Sequence, residues 1–152
     1  MTDNYEIINQ ASQYFMAGYN CSQSSFGALA NKIGLDTSTA LKIAAPFGGG
    51  ISQNGSVCGA VSGELMALGY HFGNDRPDRS SKYRNYEIGS QFLREFSERF
   101  GDVICPKLLG LDIRKPDELQ QARDQDLFHS LCSQFVAGAV EIAVKIIDAE
   151  EK

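Results

Sequence analysis

Apolar residues recur at intervals of three and four along most of the chain, which predicts helices. Val, Ile and Thr never alternate with polar residues for long enough to indicate a sheet. The pattern therefore predicts an all-α fold, a single-domain bundle of six to seven helices spanning residues 1–152. Capping residues, glycines and prolines place helical segments at Thr2 or Asp3 to Ala17, Asn20 to Gly34, Asp36 or Thr37 to just before Pro46, Val57 to Tyr70, Ser80 to Phe100, Pro106 to Leu109, Pro116 to Ala122 and Asp126 to Ala149.

A glycine-rich loop leads into the central apolar helix of this pattern. Three consecutive glycines follow Pro46, and Asn54-Gly55 is a strong turn signal. Ser56 is the predicted N-cap of the next helix, which places Cys58 in its first turn. Free backbone N–H groups and the helix dipole favour a thiolate there, so we expect a lowered pKa for Cys58.

The same helix carries a second, small-residue face. Small side chains allow another backbone to approach closely, so this face predicts close helix packing. As an alternative, it and the aromatic helix that follows are candidates for a homodimer interface. The face consists of Gly59, Ala60, Gly63 and Ala67.

Composition narrows the classes of partner and compartment. A net charge of −5 argues against nucleic acid as a partner. No apolar run is expected to reach the roughly 18 residues of a membrane span. The N-terminus has neither a basic region nor an apolar one, so no signal peptide is expected and we predict a cytoplasmic protein. In that reducing compartment, cysteines are more often catalytic, metal-binding or buried than disulfide-bonded.

Four cysteines are the main candidates for chemistry: Cys21, Cys58, Cys105 and Cys132. No two have CxxC spacing, so no local zinc or thioredoxin-type motif is present. The first three lie at predicted helix starts, where several thiolates could be stabilised and aimed at one point. The alternative is that they are buried structural thiols, because free cysteine often packs as a small apolar residue.

Two weaker candidates accompany the cysteines. The loop has the glycine spacing of a phosphate loop but lacks its lysine, so a small anion or cofactor group is favoured over a nucleotide. His129 lies three residues before Cys132 and can share its helix face, as a metal ligand or a proton donor. The loop candidates for cofactor binding are Gly48, Gly49, Gly50, Gly55 and Gly59.

The chain also resembles the C_GCAxxG_C_C family of four-cysteine proteins described as redox-active. CGAVSG at residues 58–63 matches the family's CGAxxG signature, and YNCSQS at residues 19–24 is similar to its first cysteine motif. FGDVICPKLLGLD at residues 100–112 and LFHSLCSQFV at residues 127–136 resemble the regions of the third and fourth cysteines. The resemblance covers almost the whole chain and implies redox activity through the same four residues, but it implies no substrate.

Three functional hypotheses follow. The first is a thiol-based oxidoreductase acting on an unknown redox partner or small molecule, in which Cys58 attacks and Cys21 resolves the disulfide. The second is a protein with a metal ion or iron–sulfur cluster held by the four cysteines. The third is a non-catalytic helical binding or assembly module with buried cysteines.

Overall fold

The computed structural model describes residues 3–151, and the regular elements of this part of the chain are all helices. The predicted all-α class is confirmed, with eight α-helices between residues 3 and 151. A 3₁₀ turn, Ala45–Phe47, follows α3, and a π-helical segment, Phe128–Cys132, runs directly into α8. The helices are α1 Asn4–Met16, α2 Cys21–Ile33, α3 Thr37–Ala44, α4 Gly59–Phe72, α5 Arg79–Phe100, α6 Cys105–Leu109, α7 Pro116–Asp124 and α8 Ser133–Glu150. The predicted start at Thr2 lies outside the described residues.

Most predicted helix ends are close to the observed ones because local capping groups fix them. Asn20 and Gln23 form a capping box at the start of α2, and Gly34 ends that helix in the left-handed conformation. Asp78 caps α5, and Gly101 ends it in the same left-handed conformation. The helix of residues 37–44 stops before Pro46, as predicted.

Two predicted boundaries were wrong. Helix α4 begins at Gly59, with Cys58 rather than Ser56 at its N-cap. The segment before it is extended because Val57 forms an antiparallel bridge with Ile104. The last predicted helix is divided, since Asp126 has a positive φ of 55° and a π-helical segment precedes α8.

Helix α8 lies at the centre of the bundle and packs against α1, α2, α4 and α5. Its apolar residues are buried along both sides, whereas surface helices bury one stripe. The run Phe128–Glu150 has the length and composition of a helix that could cross a membrane. The expectation that no segment of the chain would have them was therefore wrong. Because 56% of its most apolar window is buried inside the fold, it also has the pattern of a core helix, which passes the same test.

The small-residue face of α4 is used inside the chain. A Cβ atom added at Gly63 would overlap the Ser25 hydroxyl and lie 2.7 Å from the Ser22 carbonyl oxygen. The predicted close helix approach is therefore present, and its partner is α2. Because α2 occupies this face, the face is not free to form the homodimer interface considered above.

Candidate functional site

All four cysteines line one cavity of about 570 Å³ at one end of the bundle. Its wall combines the start of α2, the glycine-rich loop, the start of α4, helix α6 and the π-helical segment. Residues that are far apart in sequence thus meet in one place. The four candidate thiols therefore share one cavity wall.

A short backbone bridge holds two of the cysteines in place. The Cys58 N–H donates to the Val103 carbonyl oxygen, and the Cys105 N–H donates to the Ser56 carbonyl oxygen, both at 2.8 Å. These bonds join the extended segments before α4 and α6. Cys58 and Cys105 consequently enter the wall side by side, and both are buried.

The other two cysteines are partly exposed and reach the cavity from different helices. Cys21 is the first residue of α2, immediately after the Asn20 cap. Cys132 ends the π-helical segment. Such segments are frequent at functional sites, because their extra residue per turn redirects side chains.

Cys21 lies directly against the start of α4. A Cβ atom added at Gly59 would overlap the Cys21 sulfur and come within 3.1 Å of the Phe47 carbonyl oxygen. Gly59 is therefore a glycine because the Cys21 side chain occupies the space that a side chain would need. This contact brings the Cys21 sulfur beside Cys58, the neighbour of Gly59 in sequence.

The expectation of a lowered pKa for Cys58 was wrong. Burial raises the pKa of Cys58, and negative charge on Cys21 raises it further. The amides of Ala60 and Val61 act in the opposite direction, as predicted for a helix start, but the loss of hydration is larger and no regular cap hydrogen bond forms.

The same cause acts on two further thiols. Burial raises the pKa of Cys105 to about 11, with smaller contributions from the charges of Cys21 and Asp112. Burial also raises the pKa of Cys132, and the negative charges of the three other cysteines raise it further. These mutual effects indicate that the four sulfurs are close enough to influence one another electrostatically.

The described residues contain no disulfide and no site for a single metal ion. All four cysteines are free thiols. Within residues 3–151, no three side chains of the His, Cys, Asp or Glu type lie close enough together to hold one metal ion. His129, the predicted additional ligand, lies on the cavity wall, but its exposed ring is bonded through Nδ1 to Asp126 at 2.7 Å.

The glycine-rich loop forms part of the cavity wall in a strained conformation. Five consecutive residues, from Gly49 to Gln53, have positive φ values between 52° and 73°. Ile51, Ser52 and Gln53 are not glycines, and each such residue costs about 1–2 kcal/mol. The Ser56 N–H holds the loop by donating to the Gly50 carbonyl oxygen at 2.8 Å. Strain of this kind is concentrated at ligand sites.

The predicted loop residues divide into two groups. Gly48, Gly49 and Gly59 line the cavity. Gly50 and Gly55 do not: Gly50 packs against Ser56 and the Cys105 side chain, and Gly55 packs against Arg114 and Pro106. The latter two support the loop from behind.

Sequence reasoning missed the apolar part of the wall and a buried acid elsewhere in α4. The apolar residues are far apart in sequence and look like ordinary core positions, so no local signal marks them. Glu64 lies in α4 with its side chain fully buried. Nothing in its sequence neighbourhood indicates that burial. The missed aromatic and aliphatic wall residues are Phe15, Tyr19, Leu108, Leu109, Ile113, Phe128 and Phe135.

Comparison with known proteins matches this arrangement to a family. Residues 19–146 match the family described as "Putative redox-active protein (C_GCAxxG_C_C)". The chain belongs to the C_GCAxxG_C_C family. A protein of Archaeoglobus fulgidus named "Uncharacterized protein" is 30% identical over 135 residues, covering 82% of each chain. No solved structure gives a significant match.

The C_GCAxxG_C_C signature has a physical basis in this chain. Cys58 lies on the cavity wall, and the two signature glycines, Gly59 and Gly63, lie where α2 comes closest to α4. The first glycine accommodates the Cys21 sulfur and the second accommodates the Ser22 backbone. The signature thus combines a cysteine with the helix contact that brings a second cysteine beside it.

Proposed function

We propose that this chain is a dithiol–disulfide redox protein in which Cys21 and Cys58 form the reactive pair. The supporting observation is the contact of the Cys21 sulfur with Gly59, next to Cys58 in sequence. Among the other thiols, Cys21 also has the largest electrostatic effect on Cys58. The description of the family as redox-active agrees with this proposal.

We assign the attacking role to Cys21 rather than to Cys58. Cys21 is partly exposed at a helix start, whereas Cys58 is buried and its pKa is raised. The Cys21 thiolate attacks one sulfur of a disulfide substrate, and the other substrate sulfur leaves and takes up a proton. Cys58 then loses its proton and attacks the Cys21 sulfur, which releases the second substrate thiol. Two electrons and two protons pass from the cysteine pair to the substrate.

The cytoplasm remains the proposed compartment. Reducing conditions there keep cysteines as free thiols. A protein that donates electrons from two thiols would return to its active form in such a compartment.

Mild oxidation followed by mass spectrometry tests this function. We expect diamide to produce a Cys21–Cys58 disulfide in the anaerobically purified, reduced protein. The Cys21→Ser variant should lose it, and the Cys132→Ser variant, altered on the same cavity wall, should retain it. A protein that keeps four free thiols, or that pairs other cysteines first, would exclude this assignment.

A second candidate function is the binding of an iron–sulfur cluster. The observation that favours it is the presence of four thiols on the wall of one cavity, although no three are placed to hold a single ion. Clusters contain several irons, and cysteine thiolates are their usual ligands. Anaerobic purification with native mass measurement and a visible spectrum tests it. A mass excess with charge-transfer bands supports a cluster, and a colourless protein of the polypeptide mass excludes it.

A further inference from the structure

The cysteine cavity has the size of a small-molecule site. Its volume, about 570 Å³, lies in the range of cavities that hold organic ligands. Cys58 and Cys105 are only 6% and 7% exposed, so a disulfide on a protein surface has little access to either sulfur. Cys21 is partly exposed, but Cys58 must reach the Cys21 sulfur inside the cavity, so a small oxidant suits this site better than a protein surface.

The wall carries very little charge. Among the described residues that line it, none is Asp, Glu, Lys or Arg, and the single imidazole, His129, is bonded to Asp126. Aromatic rings contribute to the remaining surface, among them Phe15, Tyr19 and Phe128. Such a wall favours an uncharged, planar ligand over an ion.

The ion pair of Asp112 and Arg114 also disfavours anions. The negative charge of Asp112 contributes to the raised pKa of Cys105, which places this carboxylate near the thiols. Arg114 is the neighbouring cation, but its guanidinium is held by Asp112 through two hydrogen bonds of 2.8 Å. The carboxylates of a substrate such as glutathione disulfide would therefore meet the Asp112 carboxylate and a guanidinium that is already paired with it.

We infer that the cavity accepts a small, uncharged quinone as the oxidant of the Cys21–Cys58 pair. This inference rests on the proposed dithiol function and names a quinone, instead of the disulfide written there, as the molecule that takes up the electrons. A quinone takes up two electrons and two protons, the number that two thiols release when they form a disulfide. A planar ring of this kind also suits the aromatic, uncharged wall.

The reaction balances without a further reagent. The Cys21 thiolate adds to a ring carbon of the quinone and forms a carbon–sulfur bond. The Cys58 thiolate then attacks the Cys21 sulfur, so the sulfur–sulfur bond forms and the carbon–sulfur bond breaks. The electron pair of the broken bond enters the ring, and the two thiol protons end on the quinone oxygens. The products are one disulfide and one hydroquinone.

The test compares two quinones that differ in charge. Tetramethyl-1,4-benzoquinone is the neutral probe, and a trimethyl-1,4-benzoquinone with a carboxylate side chain is the anionic one. Oxidation of the reduced protein is followed by quinone absorbance and by mass, and each rate is divided by the rate with dithiothreitol to remove intrinsic reactivity. We expect the neutral probe to be favoured by about tenfold or more. Equal normalised rates for the two probes would overturn the inference.

A pair of arginine variants checks that the cavity causes the preference. Gln53 lines the mouth and is exposed, so Gln53→Arg should raise the rate with the anionic probe by about tenfold. Gln120 is exposed on α7 outside the cavity, so Gln120→Arg should change neither rate. Equal effects of the two variants would place the selectivity outside the cavity and contradict the inference.

The design separates this inference from the function on which it rests. If diamide forms the Cys21–Cys58 disulfide but the neutral quinone does not, the inference fails and the dithiol function stands. If no oxidant forms the disulfide, the dithiol function fails. The double variant Cys21→Ser/Cys58→Ser then tests the cavity alone through quenching of tyrosine fluorescence, since the chain has six tyrosines and no tryptophan. Saturable binding of the neutral probe supports the cavity's preference, and its absence overturns it.

Discussion

Replacing Glu64 with glutamine should change how the stability of this protein depends on pH. Glu64 is fully buried between α4 and α2, and neither carboxyl oxygen accepts a hydrogen bond of normal geometry. The nearby Ser25 hydroxyl lowers the pKa of this carboxyl only partly, because it donates to the Ser22 carbonyl oxygen at 3.3 Å. Burial dominates and raises the pKa of Glu64 well above its ordinary value.

The direction of the effect follows from proton binding. Folded protein retains the Glu64 proton at pH values where the unfolded chain, with a carboxyl pKa of about 4.3, has lost it. The contribution of Glu64 to the unfolding free energy is fully present below the unfolded pKa and is lost as the pH rises toward the folded pKa. The loss is about 1.4 kcal/mol per pH unit. The loss continues at this rate over the pH range in which only the folded protein holds the proton.

Urea unfolding of the parent protein and Glu64→Gln at pH 5, 6, 7 and 8 measures this change. We expect the variant to gain stability relative to the parent as the pH rises, because glutamine does not titrate. This pH range avoids the other shifted groups, since Cys58, Cys105 and Cys132, whose pKa values are raised, titrate above it and the carboxylates with lowered pKa values titrate below it. Those carboxylates are Asp36, Asp78, Asp102, Asp112 and Glu141.

A matched substitution controls for the loss of one negative charge. Glu98 is exposed on α5, so Glu98→Gln should leave the pH dependence of the unfolding free energy unchanged. If Glu64→Gln and the parent protein show parallel stability curves from pH 5 to pH 8, Glu64 is not held in its protonated form and our reasoning is refuted.

Three further predictions concern helix packing, the loop and the thiols. In urea unfolding, Gly63→Ala should lower the unfolding free energy by about 1–3 kcal/mol, because the added methyl group overfills the α2–α4 contact. Gly89→Ala is the control, since its methyl group meets only an ordinary 3.7 Å contact, and it should raise the unfolding free energy by up to about 1 kcal/mol. Ile51→Gly should stabilise the protein by about 0.5–1 kcal/mol in the same assay, since relief of about 1–2 kcal/mol of backbone strain exceeds the entropy gained by the unfolded chain. At pH 8, iodoacetamide should modify Cys21 before Cys105, and the Cys105 rate should rise about tenfold per pH unit toward its pKa of about 11, as measured by peptide mass mapping.

Each of these predictions has an outcome that would contradict it. Equal losses for the two glycine-to-alanine variants would mean that the α2–α4 contact is not unusually close. A destabilised Ile51→Gly variant would mean that the loop is not strained at this residue. Modification of Cys105 ahead of Cys21 would place the accessible thiol elsewhere.

Much of the fold could be predicted because helix signals are local. The capping box at Asn20, the glycine at Gly101 and the proline at Pro46 act within a few residues of themselves, and their helices end where the pattern predicts. Long-range pairing has no such local signal. The extended bridge of Val57 to Ile104 joins segments 47 residues apart and moves the start of α4 from the predicted residue to Gly59.

The candidate site also has features that local sequence determines and features that only long-range packing determines. The sequence by itself indicated the four cysteines as the candidate site, because three lie at predicted helix starts and all four match the family pattern. Only the tertiary structure decided their ionisation, since a helix start lowers the pKa of Cys58 locally while burial by the surrounding helices raises it more. It also decided that Cys21 lies against Gly59 and that Glu64 is buried without a partner. Desolvation and packing depend on every neighbour in space, and most of those neighbours are distant in the chain.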